Sequence, residues 1–331
     1  MSSTQAKKRI VGVGSALVDI LINESDAFLN AIDAPKGGMT LVPHDVIETI
    51  LARTQQRPTI VPGGSACNTI VGIGQLGGDA RFVGKCGRGE MGCLIERELN
   101  RNQVEPFLTR CGSPSGRVLS IITPDAQRTM FTFLGASAEA LPEEMSDDRF
   151  EDAAIVHIEG YLLFNPDLIT AAMASAKRAG AMVSLDLASY TVVNDTRPTL
   201  ERLIEEYVDI VIANEDEAAA YTGSRDEAAA LEQLAAIAKI AVVKLGARGS
   251  LIASGRQRVT VAPASGGASI VDTTGAGDLW ASGFLFGLVN GLDLAQSGAL
   301  ASACGYEVCQ VIGASIPHQG WDRIRPVRGD A

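Results

Sequence analysis

From about residue 150 onward, short apolar runs alternate with helical patterns, and this alternation constrains the fold more than any other feature of the chain. AAIVHIEG reads as a strand and DLITAAMASAKRAG as a helix. AMVSLDLA is followed by PTLERLIEEY, VDIVIANE by DEAAAYTG and RDEAAALEQLAAIAK, and IAVVKLG comes next. Apolar strands bounded by amphipathic helices make βαβ units, whose parallel sheet is buried on both faces. KRIVGVGSALVDI looks like another such strand, and GGSACNTIVGIGQLGG like a turn entering a helix. The fold class expected is therefore α/β.

Two stretches break the alternation. Residues 16–45 and 105–135 hold short β-like runs with turn signals, and GRVLSIIT and RTMFTFLG across PDAQ suggest a hairpin. Both stretches are expected to form one small sheet projecting from the main body as a lid. The chain has 331 residues, 46% of them hydrophobic, which is enough apolar material for one large core. Its formal net charge of −11 argues against nucleic-acid or anionic-membrane partners, because both need a basic patch. An anionic ligand would have to be met by backbone N–H groups, a few basic residues or a metal. The opening MSSTQAKKRIVGVG carries no apolar signal core, and the longest apolar stretch, near Leu279–Val289, is interrupted by glycines. A cytoplasmic location is expected. The six cysteines form no CxxC pair and there are three histidines, so no zinc-type cluster is expected and the thiols read as small apolar residues.

Four places could carry chemistry. In VDTTGAGDLWASGFLFGL a Gly-rich turn leads from a strand into a helix starting near Ala276. The N–H groups of Ala276, Gly277 and Asp278 then lack helical partners and can point at an anion. Beside that pocket, the carboxylate of Asp278 could take a proton from a hydroxyl, which suits phosphoryl transfer to an alcohol. A plainer account competes, because acidic residues favour helix N-termini for dipole reasons alone. In NEDE, Asn214 and Glu217 share one helical face and could hold a hydrated Mg²⁺; they also fit a capping box. In KLGARGS, the glycine turn after Lys244 could cradle phosphate or border a base, or be an ordinary turn. Near the N-terminus, Asp19, Gly63, Gly64 and Asn68 offer hydrogen-bonding groups and close backbone approach for a polyol, or simply a turn and a cap. Gly12-x-Gly14 hints at dinucleotide binding, but Leu17 stands where the third glycine belongs, and no GxxxxGK[ST] loop exists.

GGSACNT, NEDEA, KLGARG and DTTGAGD, in that order, give the chain its resemblance to the ribokinase-like (PfkB) carbohydrate kinase family over nearly its whole length. The resemblance implies a doubly wound αβα core across residues 1–331 with a small β lid. It implies Asp278 as catalytic base and Gly275, Ala276 and Gly277 as the anion hole. It places Asn214 and Glu217 at the Mg–phosphate site, with Glu217 reaching the ion through water, and Lys244, Gly246 and Gly249 near ATP. Asp19, Gly63, Gly64 and Asn68 would hold the substrate's hydroxyls. VGSALVDI, KGGMTLV, IEGYLLFNPD and LDLAS resemble adenosine kinases and their bacterial relatives most, and Arg128 stands where these often have a lid arginine. Ser15 stands where many nucleoside kinases carry Asn, and GRGEMG has Gly89 where the family usually has Asp. GASIP and Asp272 resemble ribokinases that bind a monovalent cation such as K⁺.

The activity expected is ATP- and Mg²⁺-dependent phosphorylation of a primary hydroxyl on a nucleoside, adenosine first, or on a sugar. A ribose, fructose or 2-keto-3-deoxy-sugar kinase is the alternative, a nucleotide-binding sensor without turnover a further one, and a Rossmann dehydrogenase a distant one. The chain is expected as a monomer or as a homodimer through the lid.

Overall fold

The computed structural model describes residues 8–125, 127–267 and 269–328. The first half runs β1 (Arg9–Val13), β2 (Leu17–Asn23), α1 (Asp26–Ala31), β3 (Met39–Leu41), α2 (His44–Leu51), β4 (Thr59–Gly63), α3 (Ser65–Gln75), β5 (Ala80–Gly87), α4 (Glu90–Arg101), β6 (Val104–Cys111), β7 (Ser115–Ile122) and β8 (Arg128–Gly135). The alternating half follows as β9 (Ala153–Glu159), α5 (Pro166–Arg178), β10 (Met182–Asp186), α6 (Tyr190–Tyr207), β11 (Ile210–Asn214), α7 (Glu215–Thr222), α8 (Glu227–Ala235) and β12 (Ile240–Lys244). Then come β13 (Ser250–Ser254), β14 (Gln257–Val261), α9 (Ala276–Val289), α10 (Leu294–Val308) and α11 (His318–Arg328).

Nine strands form one sheet in the order β14-β13-β12-β11-β10-β9-β1-β5-β6. Pairing is parallel from β12 to β6 and antiparallel at β13 and β14. Strand order reverses direction between β1 and β9, the switch point at which doubly wound sheets open a crevice. Strand residues alternate between two cores. Ile155, Ile210, Ile212 and Val242 pack under α3, α9 and α10, whereas Val156, Val183, Val211 and Val243 pack under α5, α6 and α8. The αβα layering matches the expected fold class.

α9 is the helix that explains its own composition. Leu279–Gly287 are buried all round, because α9 lies between α3 and α10 against the sheet. A helix apolar on every side is stable only in such a place.

Five strands form the second sheet, in the order β3-β8-β7-β2-β4. The β7–β8 hairpin is antiparallel as expected; residue 126 of its turn lies outside the described residues. Three expectations need correcting. KRIVGVGSALVDI is not one strand: it breaks after Val13, so β1 enters the large sheet and β2 the small one. Asp19 therefore sits inside β2 and not at the end of the first strand. The stretch 105–135 divides as well, since β6 pairs with β5 in the large sheet, and β4, outside both expected stretches, supplies the fifth strand of the small one. Among the described residues, no strand lies between β14 and the GAGD turn either. Val271 and Asp272 donate their N–H groups to the Cys309 carbonyl oxygen (2.8 and 3.3 Å), so that segment is tied to the end of α10 instead of to a sheet.

The outer face of the small sheet is covered. Ile20, Ile22, Leu119, Ile121 and Phe131 pack with Leu29 of α1 and Ile47 and Ile50 of α2. Arg117 clamps α2 down, 2.6 Å from His44 Nε2 and 2.7 Å from Glu48 Oε1. Four cysteines are buried as expected, but Cys93 is exposed and Cys111 half-buried, and all six are free thiols. Among the described residues, no helix is long and apolar enough to cross a membrane.

Candidate active site

Four adjacent strands of the large sheet end on polar residues: Glu159 in β9, Asp186 in β10, Asn214 in β11 and Lys244 in β12. Glu159 is in register with Asp186, and Asn214 with Lys244. Each lies an even number of residues from an apolar neighbour under α9, so the period of two puts all four on the α9 face. The first turn of α9 meets this row.

Asp278 is the third residue of α9, behind an N-cap, Gly275, in the left-handed conformation (φ +71°). Its Oδ1 accepts from Ser65 Oγ (2.8 Å) and its Oδ2 from Asn68 Nδ2 (2.9 Å). Thr69 Oγ1 donates to the Asp278 carbonyl oxygen at 3.1 Å, which ties the first turn of α3 to that of α9. Burial pushes the Asp278 carboxyl up to about 6, against the pull of Asn68 and Ser65 and with the help of the Asp186 charge. The expected anion hole narrows. The Ala276 N–H donates to the Thr273 carbonyl oxygen (3.2 Å), which leaves Gly277 and Asp278 as the first-turn donors with no helical partner.

Lys244 Nζ donates to Asp186 Oδ2 at 2.8 Å. Burial disfavours its charge, but Asp186 and Glu217 outweigh that and raise its ionisation above the usual lysine value. Asn214 and Glu217 do form a capping box: Glu217 N donates to Asn214 Oδ1 (2.8 Å) and Asn214 N to Glu217 Oε2 (2.8 Å). Asn214 Nδ2 also donates to Glu217 Oε1 at 2.7 Å. The cap does not require burial, yet Glu217 is only 3% exposed, and burial followed by the Asp186 charge pushes its carboxyl up to about 7. A carboxylate held this way gains from a nearby cation. Each of its oxygens keeps a lone pair for a metal-bound water, so the donors fit a hydrated Mg²⁺. They do not form a direct cage, since no group of three or more His, Cys, Asp or Glu among the described residues is placed to hold a metal.

A cavity of about 720 Å³ opens beside the row, a size that suits a nucleotide. Asn214, Lys244, Gly246, Gly249, Ala276 and Gly277 all line it, and Trp280 and Tyr306 add aromatic surface. Four of the five expected cofactor residues thus line one space; the fifth, Glu217, does not line it and sits behind Asn214, to which it is hydrogen-bonded.

On the other side of Asp278 lies the small sheet. Asp19 projects from β2 toward Asp278, Asp272 and Arg128; burial pushes its carboxyl up to about 7, with Arg128 opposing. Gly63 is in register with Leu17, and a Cβ there would collide with the Asp19 carboxylate. Gly64 has φ +103°, and a Cβ on it would collide with the Ser15 carbonyl oxygen. Both glycines are needed for β4 to turn into α3 against β2. Arg128 Nε lies 3.7 Å from Asp272 Oδ1. Asp272 is already engaged by Thr274 N (2.9 Å), Thr274 Oγ1 (2.6 Å) and Gly313 N (2.9 Å), so a monovalent cation there would compete with a guanidinium.

Glu159, Asp186 and Ser65 were missed by the sequence reading. Glu159 is 1% exposed, accepts from Ser15 N (2.8 Å) and Ala66 N (3.0 Å), and is pushed by burial to about 7. One signal could have found Glu159 and Asp186. Each closes a mostly apolar strand with a charge, as Asn214 and Lys244 close theirs with polar groups.

A family model described as pfkB family carbohydrate kinase matches residues 38–320. A ribokinase of Arabidopsis thaliana is 32% identical over 324 residues, covering 92% of this chain and 77% of that protein. Two solved bacterial structures are similar along their whole length. A probable sugar kinase from Rhizobium etli has a TM-score of 0.90 at 32% identity, covering 99% of this chain and 100% of that one. An adenosine kinase from Sinorhizobium meliloti has a TM-score of 0.89 at 33% identity, covering 97% and 99%.

Proposed function

Because the chain belongs to the pfkB family of carbohydrate kinases and is a nucleoside or sugar kinase, we propose that its acceptor is a nucleoside, adenosine before others, and that Asp278 activates the hydroxyl that attacks ATP. The observation that carries the chemistry is the Asp278 carboxylate, pinned by Ser65 and Asn68 beside the unpaired N–H groups of Gly277 and Asp278. Both side-chain partners donate, so the carboxylate is kept in its proton-accepting form. The acceptor's proton passes to it as the new O–P bond forms, and the bond to the β-phosphate oxygen breaks with its electron pair left on ADP. The two N–H groups offset charge on the transferring phosphoryl.

Nucleotide occupies the cavity beside Lys244, Gly246 and Gly249. Asp19 and Arg128 meet the acceptor beneath the small sheet, which closes as a lid and excludes water. Asn68 serves this site by orienting Asp278. Asn214 and Glu217 would hold a hydrated Mg²⁺, which would supply charge neutralisation to the nucleotide phosphates. Glu217→Gln should then raise the Mg²⁺ concentration for half-maximal rate several-fold, with a modest loss in apoprotein melting because the amide can accept only one of the two hydrogen bonds from Asn214. An unchanged Mg²⁺ titration would leave Glu217 with its capping role only.

Support for the nucleoside acceptor comes from the similarity to the adenosine kinase from Sinorhizobium meliloti. The similarity to a ribokinase supports the second reading, a sugar acceptor. ADP release measured across a panel of nucleosides and sugars decides between them. If ribose or fructose outpaces every nucleoside, the nucleoside assignment fails while the role of Asp278 stands.

The chain acts as a monomer. The outer face of the small sheet, which a dimer through the lid would use, is occupied by α1 and α2. Sedimentation at micromolar concentration should give a single species of one-chain mass. A stable dimer that a charge introduced on the rim of that sheet abolishes would reverse this reading.

A further inference from the structure

The ion pair between Lys244 and Asp186 is not explained by packing. Its side chains are 13% and 10% exposed, and its partners come from the ends of separate strands. A buried pair of this kind is weak evidence for stability, since apolar residues of similar volume usually serve as well. Its orientation is more telling. Asp186 is held from behind: its Oδ1 accepts from Ala188 N at 2.9 Å, and Ala188 takes a left-handed φ of +64° to donate there. A non-glycine residue keeps such a backbone only where its surroundings demand it. Asp186 in turn holds the lysine against the first turn of α9, where a Cβ built on Gly277 would lie 3.1 Å from Lys244 Nζ. Lys244 and Gly277 both line the nucleotide-sized cavity. The ammonium and the first turn of α9 therefore border the same part of the cavity, and the hydrogen-bonded counter-ion of the ammonium, among the described residues, is the Asp186 carboxylate.

We propose that Lys244 is a catalytic residue that contacts a non-bridging oxygen of the γ-phosphoryl group during transfer, and that Asp186 is the positioning residue that holds its ammonium over the α9 N-terminus until the phosphate becomes its counter-ion. This rests on the kinase reading and sharpens it, because it assigns Lys244 to the group being transferred and gives Asp186 a role. Lys244 keeps its proton throughout. It donates hydrogen bonds to the phosphoryl oxygens, while the acceptor's proton goes to Asp278.

The test uses wild type, Lys244→Met, Lys244→Arg, Asp186→Asn and the double variant Asp186→Asn/Lys244→Met. Two quantities are read: kcat and KM for each substrate, and the thermal shift given by Mg-ADP against that given by Mg-adenylyl imidodiphosphate, which adds a γ-phosphoryl group. Wild type should be stabilised more by the imidodiphosphate than by ADP. Lys244→Met should lose that difference, keep the ADP shift, and lose roughly a hundredfold or more in kcat at unchanged acceptor KM, the scale of removing one donor at a developing charge. Lys244→Arg should recover part of the loss. Asp186→Asn should lose about tenfold in kcat with the ADP shift intact. Single variants can unfold because each leaves a buried charge unpaired. The double variant removes both members of the pair, and it should match Lys244→Met, because Asp186 acts only through Lys244. A folded double variant with wild-type kcat overturns the proposal, as does a Lys244→Met protein that loses the ADP and imidodiphosphate shifts equally. If wild type itself releases no ADP with any acceptor in the panel, it is the kinase reading that fails.

Discussion

Asp278→Asn should reduce turnover by about two to four orders of magnitude while folding and nucleotide binding survive, the usual cost of losing one general base. The expectation follows from what surrounds the carboxylate. Ser65 and Asn68 each give it a hydrogen bond, so an amide of the same shape fits the space but cannot take a proton from the acceptor. Stability should not fall at neutral pH. The wild-type carboxyl is pushed up to about 6 by burial, so its ionised form is penalised in the folded state, and a neutral Asn escapes that penalty. The sign for the wild-type pH profile is fixed by the same value. The base must be deprotonated to work, so kcat/KM should fall as pH drops through about 6, and the residual activity of Asp278→Asn should lack that limb. Near-normal turnover in the variant would remove Asp278 from the base role and leave it as a helix-capping acid.

The second large effect is expected at the acceptor side. Asp19→Ala should raise the acceptor KM and lower kcat/KM by about ten- to a hundredfold, with the KM for ATP little changed. A hydroxyl hydrogen-bonded to a charged group loses roughly 1.5–3 kcal/mol when that group goes. Placement separates the two substrates. Asp19 lies on β2 of the small sheet, whereas the nucleotide-sized cavity is lined from β11, β12 and α9. The loss should be shared by every acceptor that presents the same hydroxyls, nucleoside or sugar. An effect on ATP instead of the acceptor, or wild-type kinetics, would show that Asp19 only helps β4 pass close to β2 through Gly63.

The alternation of apolar strands and helices beyond residue 150 is enough to specify a parallel sheet covered on both faces, because burial on each side leaves no polar period in the strands. The glycine-rich turn before an apolar helix likewise marks a helix N-terminus with free N–H groups, and GGSACNT, NEDEA, KLGARG and DTTGAGD mark the family. These signals are local, carried by residues a few positions apart. Other features are properties of distant contacts. Nothing in KRIVGVGSALVDI says that β1 and β2 belong to different sheets, since both are largely apolar; between them Gly14 can bear no side chain because Glu159, remote in sequence, occupies that space. NEDE is compatible with a cap or a cation site, and the tertiary structure realises the cap while burying Glu217 beside Asp186, which no spacing within the motif could show. Asn68 reads as a substrate ligand in its own helix, yet it turns to Asp278 because α3 and α9 meet at their first turns. Asp186 and Glu159 looked like ordinary strand ends until the register of β9 with β10 set them side by side. The sequence by itself determined which chemical groups the chain carries and the kind of fold that delivers them. Only the tertiary structure decided which of those groups face one another, because the strengths of their charges and hydrogen bonds depend on burial and on neighbours supplied by chain many residues away.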